Sequence, residues 1–179
     1  VKPYQPDGLW QELAGGKGYV QDKGEALYRR SLYTYWKRTV PPPFMVNFDS
    51  PNREVCIVQE NRTNTPLQAL DLMNDVAFQE AARKMAERMI TEAGPAEDQR
   101  IAYGYRLLLT RDPRARELDI LRRTLHRFRD NFRTNPAAAR DYLQHGEAPV
   151  NATLDPVELA AYTTVASLVL NLDAAVTKE

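Results

Sequence analysis

A polar segment directly before an apolar helical pattern contains residue types that bind anions. The stretch "RTNTPLQ" (62–68) supplies Arg62, Asn64, Thr65 and Gln68. A helix N-terminus offers backbone amides and partial positive charge, which suit phosphate, sulfate or carboxylate groups. Arg62 adds a guanidinium that binds such groups through paired hydrogen bonds. The pattern therefore predicts a candidate anion or ligand site at the start of this helix.

The same segment also has a structural interpretation. Thr65, followed by Pro66 and by Gln68 at the third helical position, matches a capping box with proline at the first position. Asn64 then hydrogen-bonds the incoming loop, and no ligand is required. This interpretation explains Thr65 and Gln68 but leaves Arg62 and Asn64 unexplained, so both interpretations stay open.

A second group of reactive side chains lies in "FDSPNRE" (48–54), which supplies Asp49, Arg53 and Glu54. Two carboxylates are the acid and base of glycoside hydrolysis, provided that they face one substrate. The structural alternative is a cluster of ion pairs, in which Arg53 or Arg62 binds these carboxylates. The sequence does not give their separation in space, and it leaves open whether the chain is an enzyme.

Aromatic and basic residues alternate in "YRRSLYTYWKR" (28–38), a composition suited to stacking on nucleobases or sugars. However, Tyr28, Leu32, Tyr35 and Trp36 recur at helical spacing, which predicts that they share the core-facing side of one helix. The whole chain carries 24 basic and 24 acidic residues, so it has no positive field for nucleic acid. We therefore expect no nucleic-acid partner.

Metal and covalent chemistry have little support. His126 and His145 lack the spacing of a metal motif, so we expect no metal site. Cys56 is the only cysteine, which excludes an internal disulfide and a CxxCH haem attachment, and it is expected to be a small buried residue. We expect no cofactor in this chain.

The elements around these residues are predicted to be helical, with no convincing strand alternation. The predicted helix caps are Asp75, Asp112 with Pro113, Asn135 and Asp155, and prolines 41–43 are expected to end a helix. Ala81 is expected in the apolar stripe of the helix from residue 76, and Leu121 and Leu125 in the leucine seam of the helix from residue 113. This pattern predicts an all-α fold: a single helical domain of about six or seven helices with a long Pro-rich loop. Residues 1–24 are expected to form an N-terminal arm, mostly loop, and residues 25–179 the helical domain. The predicted helices span residues 24–39, 66–73, 76–92, 97–110, 113–132, 136–144 and 156–172.

Local charge is less balanced than the total. Residues 96–145 carry 11 basic and 7 acidic residues, a net of +4, whereas residues 146–179 carry 1 and 5, a net of −4. The Arg-rich face of helix 113–132 either packs against the acidic C-terminal segment or docks another domain of a parent protein. The most apolar run, 157–172, is shorter than a bilayer span and contains Glu158, so we expect no transmembrane segment.

Three stretches together resemble a known family: "YRRSLYTYWKRTVPPPFMVNFDSPNREVC" (28–56), "RTNTPLQALDLMND" (62–75) and "ELAAYTTVASLVLNLD" (158–173). They resemble the planctomycete-type bacterial domain of unknown function, DUF1553, whose C-terminal part this chain is similar to. The resemblance implies a periplasmic or secreted, redox-linked parent protein, with haem in a separate cytochrome c domain. The other domains of that parent are the implied partners.

These observations favour a helical interaction or structural module of a larger extracytoplasmic protein. The alternative is part of an enzyme acting on a polyanionic or carbohydrate substrate. In that case the two polar groups, 48–54 and 62–68, converge on one solvent-reachable cleft.

Overall fold

A computed structural model describes residues 1–10, 18–56, 58 and 63–177 of the chain. In this part of the chain the regular elements are helices and 3-10 turns, with one isolated bridge between Lys37 and Val40 in place of any strand. The predicted all-α fold is confirmed. The α-helices are α1 (Pro43–Asn47), α2 (Pro66–Asn74), α3 (Val76–Thr91), α4 (Glu97–Leu109), α5 (Ala115–Thr134), α6 (Pro136–Leu143), α7 (Pro156–Leu170) and α8 (Asp173–Val176).

Contacts within the chain divide it into two compact units, Val1–Asp71 and Leu72–Glu179. The division falls inside α2, so the capping segment of that helix belongs to the first unit. The predicted N-terminal arm, 1–24, and the predicted helical domain, 25–179, stay predictions.

The second unit is built around α7, which is apolar on every side and buried for most of its length. A helix of this kind has to be surrounded by other helices, and α7 contacts α3, α4, α5 and α6. Small side chains on α3 and α7 allow these two backbones to approach closely. The alanines fully buried there are Ala82, Ala86, Ala160, Ala161 and Ala166.

The helix starts follow local sequence signals. Asp75 begins α3 by accepting a hydrogen bond from Ala77 N at 2.8 Å, and Asp155 begins α7 by accepting one from Glu158 N at 2.9 Å. Asn135 accepts from Ala138 N at 3.2 Å at the start of α6. These predicted caps are confirmed, and each satisfies a backbone donor that the helix leaves unpaired.

The predicted start of α5 was wrong. Asp112 and Pro113 do not cap this helix, which begins at Ala115 after Arg114. The Arg114 N–H donates to the Glu117 carboxylate at 2.6 Å, so the side chain that caps this helix comes from its own first turn. Asp112 instead accepts from Arg106 at 2.7 Å.

The predicted helix 24–39 was also wrong. Only two 3-10 turns form there, Gly24–Tyr28 and Ser31–Tyr33, and the segment then runs extended at Thr34. The physical reason is pairing with distant backbone: Tyr35 N donates to Val1 O at 2.8 Å, and the Val1 amino group donates to Tyr33 O at 2.6 Å. The helical spacing of apolar residues contains no information about a backbone partner so far away in the sequence.

Three further predictions were wrong. The prolines before Phe44 were expected only to end a helix, but Pro43 begins α1, because proline is tolerated at the first helical position. Cys56, expected to be buried, is exposed. Ala81, expected on the apolar face of α3, is exposed, because the buried face is rotated towards Ala82, Ala86 and Met89.

Candidate functional site

The predicted start of α2 forms the capping box expected from its sequence. Thr65 N donates to Gln68 Oε1 at 2.9 Å, and Gln68 N donates to Thr65 Oγ1 at 3.2 Å. Gln68 is almost wholly buried, with 3% of its surface exposed. Its amide group therefore has to find partners inside the first unit, because an unpaired buried amide is costly.

Gln68 connects α2 to the preceding loops. Its Nε2 atom donates to the Asn47 carbonyl at 2.8 Å and to Thr63 Oγ1 at 2.9 Å. The Thr63 hydroxyl in turn donates to Asp49 Oδ2 at 2.5 Å, and Thr63 N donates to the same oxygen at 3.2 Å. We call these residues the Gln68 network, which also includes Thr65 and Asp71.

The network closes on α2 through the end of α1. The side-chain amide of Asn47 donates to Asp71 Oδ2 at 2.6 Å. Asn47 therefore bonds α2 twice, through its carbonyl to Gln68 and through its side chain to Asp71. These hydrogen bonds join the end of α1 to the first two turns of α2.

The backbone at the start of α2 offers few donors to an anion. Pro66 has no N–H, and the N–H of Gln68 already donates to Thr65. Thus at most one of the first three positions, Leu67, has an N–H for a ligand. The Asp49 carboxylate, which accepts from Thr63, adds negative charge close to the same segment.

Arg53 and Glu54 contact residues outside the Gln68 network. The Arg53 guanidinium lies 5.0 Å from the centre of the Trp36 ring. Glu54 forms an exposed ion pair with Arg38, with Nε and Oε1 3.0 Å apart. Asn64 is exposed just before α2. Arg62 lies outside the described residues, so its predicted contacts stay predictions.

Sequence reasoning missed Asn47 and Asp71. Asn47 lies 21 residues before Gln68, and no local pattern links the two. Asp71 had a weak signal, since it lies one turn after Gln68 on the same side of a short helix. The network thus combines a predictable cap with partners that only the tertiary structure brings together.

The Arg-rich face of α5 pairs partly with acidic groups of neighbouring helices. Arg129 is the most buried of these arginines. It binds Glu158 of α7 through Nη2 at 2.7 Å and Glu97 of α4 through Nη1 at 2.6 Å. The bond to Glu158 raises the pKa of Arg129, although its burial opposes the shift and the bond to Glu97 adds to it. This contact confirms that the face meets the acidic C-terminal segment.

Glu97 also accepts from His126 Nε2 at 2.8 Å. Burial would raise the pKa of Glu97, but the hydrogen bonds from His126 and Arg129 outweigh it and keep this pKa below its ordinary value. The cluster is accounted for by pairing between helices. It therefore links α4, α5 and α7 within the second unit.

The described residues contain neither a group of metal ligands nor a membrane-spanning helix. No three His, Cys, Asp or Glu side chains there are grouped so that they would hold a metal ion. Among those residues, no helix combines the length and apolar character needed to cross a bilayer.

The family comparison agrees with the motifs. The family model for PSD1, a protein of unknown function (DUF1553), matches residues 1–125. The chain belongs to the DUF1553 family. That match includes the whole Gln68 network, which is therefore part of a DUF1553 domain. No curated protein and no solved structure matches the chain.

Proposed function

We propose that this DUF1553 chain is a non-catalytic helical module that docks with other domains of a larger protein. We place the parent in the periplasm or outside the cell, where it is redox-linked through haem in a separate domain. Family membership supports this context through the resemblance described above. The non-catalytic role of this chain is supported by the geometry of the Gln68 network.

One observation carries the non-catalytic assignment: the polar groups of the Gln68 network satisfy one another. Gln68 uses its amide oxygen for Thr65 N and its amide nitrogen for Asn47 and Thr63. A catalytic or binding constellation instead aims its polar groups at a shared cleft. The two predicted carboxylates have different partners, since Asp49 accepts from Thr63 whereas Glu54 accepts from Arg38.

The enzyme alternative has one structural observation in its favour. Asp49 and Arg53 both adopt left-handed backbone conformations, with φ of 55° and 62°. Such strain costs on the order of 1 kcal/mol for a residue like arginine, and it clusters at functional sites. In this version, the loop would act on a polyanionic or carbohydrate substrate.

Replacing Asp49 separates these two functions. Asp49→Asn removes the charge but keeps a residue that tolerates positive φ. The module function predicts a loss of about 1 kcal/mol, because the charged hydrogen bonds from Thr63 are weakened. Asp7→Asn, at an exposed position of the same unit, is the matched control and should stay within about 0.5 kcal/mol.

Urea unfolding followed by tryptophan fluorescence suits this test, because Trp10 and Trp36 both lie in the first unit. An unchanged or increased stability of Asp49→Asn would contradict the scaffolding role, since functional carboxylates are often held at the expense of stability. For the parent protein, intact-mass measurement and cell fractionation test the haem and the compartment. A haem-free cytoplasmic parent would overturn that context.

A further inference from the structure

The first unit combines exposed tyrosines with two lysines whose ammonium groups lie over a buried indole ring. Lys37 Nζ lies 4.4 Å from the centre of the Trp10 ring, and Lys2 Nζ lies 6.0 Å from the same centre. Lys2 Nζ is also 5.8 Å from the centre of the Tyr35 ring. With Tyr33, these residues form what we call the cationic aromatic patch.

The backbone explains why the tyrosines face outward. Thr34 is extended and buried, and successive side chains of an extended segment point to opposite sides. Tyr35 therefore points away from the buried side and is 52% exposed, and Tyr33, the last residue of the preceding 3-10 turn, is 53% exposed. Leu32, next to them, is 74% exposed. The helical arrangement that would have buried these residues does not form.

Charge in this segment is one-sided. Residues 28–38 include four basic residues, two of them Lys37 and Arg38, and no acidic one. Among the described residues, the ion pairs within 4.0 Å leave both lysines of the patch without a carboxylate. The nearest measured carboxylate contact is Asp22, which accepts from the backbone N–H of Lys2 at 2.8 Å.

We infer that the cationic aromatic patch binds a carboxylate-rich segment of a partner protein. Both lysines are held over one indole, so they lose less side-chain freedom when they bind an anion. Exposed tyrosine is enriched at protein interfaces, and the two lysines supply a positive charge that an acidic partner complements. This inference rests on the proposed docking function and adds the surface and the partner's chemistry.

Nucleic acid fits the patch less well. Its binding depends on neutralising several phosphates, and the chain as a whole carries no net charge. An exposed leucine also adds nothing to phosphate contacts, whereas it contributes to a protein interface. A partner with Asp or Glu interspersed with apolar residues matches the patch in both respects.

Binding of the full chain to defined polymers tests the inference. The probes are poly-L-glutamate and a random glutamate–tyrosine copolymer, compared with oligothymidylate and dextran sulfate. Tryptophan fluorescence, to which Trp10 and Trp36 both contribute, reports binding and is measured at about 50 mM and about 300 mM salt to expose the charge contribution. We expect the copolymer to bind most tightly and both nucleic acid and sulfated polymer to bind at least tenfold more weakly.

Two variants and one control locate the binding. Lys37→Gln and Tyr33→Ser should each weaken copolymer binding about tenfold, the usual effect of losing one interface anchor. Arg123→Gln removes the same charge from an exposed position of the second unit and should have no effect. Unchanged fluorescence-detected unfolding of each variant confirms that the fold is intact.

The inference is overturned if both variants bind like the parent chain, or if all polyanions bind equally. Tighter binding of oligothymidylate would assign the patch to nucleic acid instead. None of these outcomes depends on Asp49, whose replacement tests the non-catalytic assignment separately. A stabilising Asp49→Asn would therefore refute the proposed function without touching the measurement on the patch.

Discussion

Gln68→Ala gives the most direct measure of the Gln68 network. The substitution removes three hydrogen bonds of 2.8, 2.9 and 2.9 Å, made to Asn47, Thr63 and Thr65. Each is worth about 1 kcal/mol net, so the expected loss of stability is about 3 kcal/mol. Burial favours the full loss, because only 3% of Gln68 is exposed and water has little access to the groups left without a partner.

A loss of this size is a large part of the roughly 5–15 kcal/mol that stabilises an ordinary domain. Because the chain forms two units, one probe is needed for each. Tryptophan fluorescence follows the first unit, and far-UV circular dichroism follows mainly the helices of the second. The urea midpoint should fall in the fluorescence curve and change less in the dichroism curve.

Gln21→Ala is the matched control, since Gln21 is an exposed glutamine of the same unit. Its effect should remain within about 0.5 kcal/mol. If Gln68→Ala were equally mild, the network would contribute nothing to folding. The argument that its groups exist to hold the loops would then fail.

Two further substitutions test the second unit. Gly146→Ala should lower the free energy of unfolding by about 3 kcal/mol, because Gly146 has φ of +88° and an added Cβ would lie 1.8 Å from the buried Glu80 carboxylate. Thermal unfolding measures this loss. Gly18→Ala is the control, since a Cβ at Gly18 meets no atom within 4 Å. Glu117→Gln should cost about 1–2 kcal/mol at pH 7 after allowance for solvent, because hydrogen bonds from Arg111 and from the Arg114 backbone lower the pKa of Glu117 to about 2. Since the folded pKa lies below the ordinary value of 4.5, this stabilisation is complete above pH 4.5 and is lost towards pH 2. Urea midpoints of parent and variant that differ as much at pH 2 as at pH 7 would contradict it.

Local signals made much of the helical part predictable. Asn135, Asp155 and Thr65 each stand immediately before a proline, and each caps a helix as expected. Such a cap involves atoms within three residues, so the sequence contains all the information. The leucine seam of α5 was predictable for the same reason, and its Leu121 and Leu125 are buried.

Predictions failed where a distant segment competes with the local pattern. Tyr28, Leu32 and Tyr35 have helical spacing, yet Val1 pairs with the backbone of this region and keeps it extended. Likewise Asn47 reaches Gln68 across 21 residues of chain. Contacts of this kind depend on loop closure, which hydrophobic periodicity does not encode.

Exposed large apolar side chains are concentrated in the first unit. Within the described residues, Val1–Asp71 contributes ten of the fourteen exposed large hydrophobic side chains but only four of the 21 buried ones. Exposed apolar area costs roughly 25 cal/mol per Å², so a surface of this composition gains stability when another molecule covers it. The second unit already buries its apolar residues around α7. This distribution is why we propose that partner binding uses the first unit, which carries the cationic aromatic patch and whose loops the Gln68 network joins.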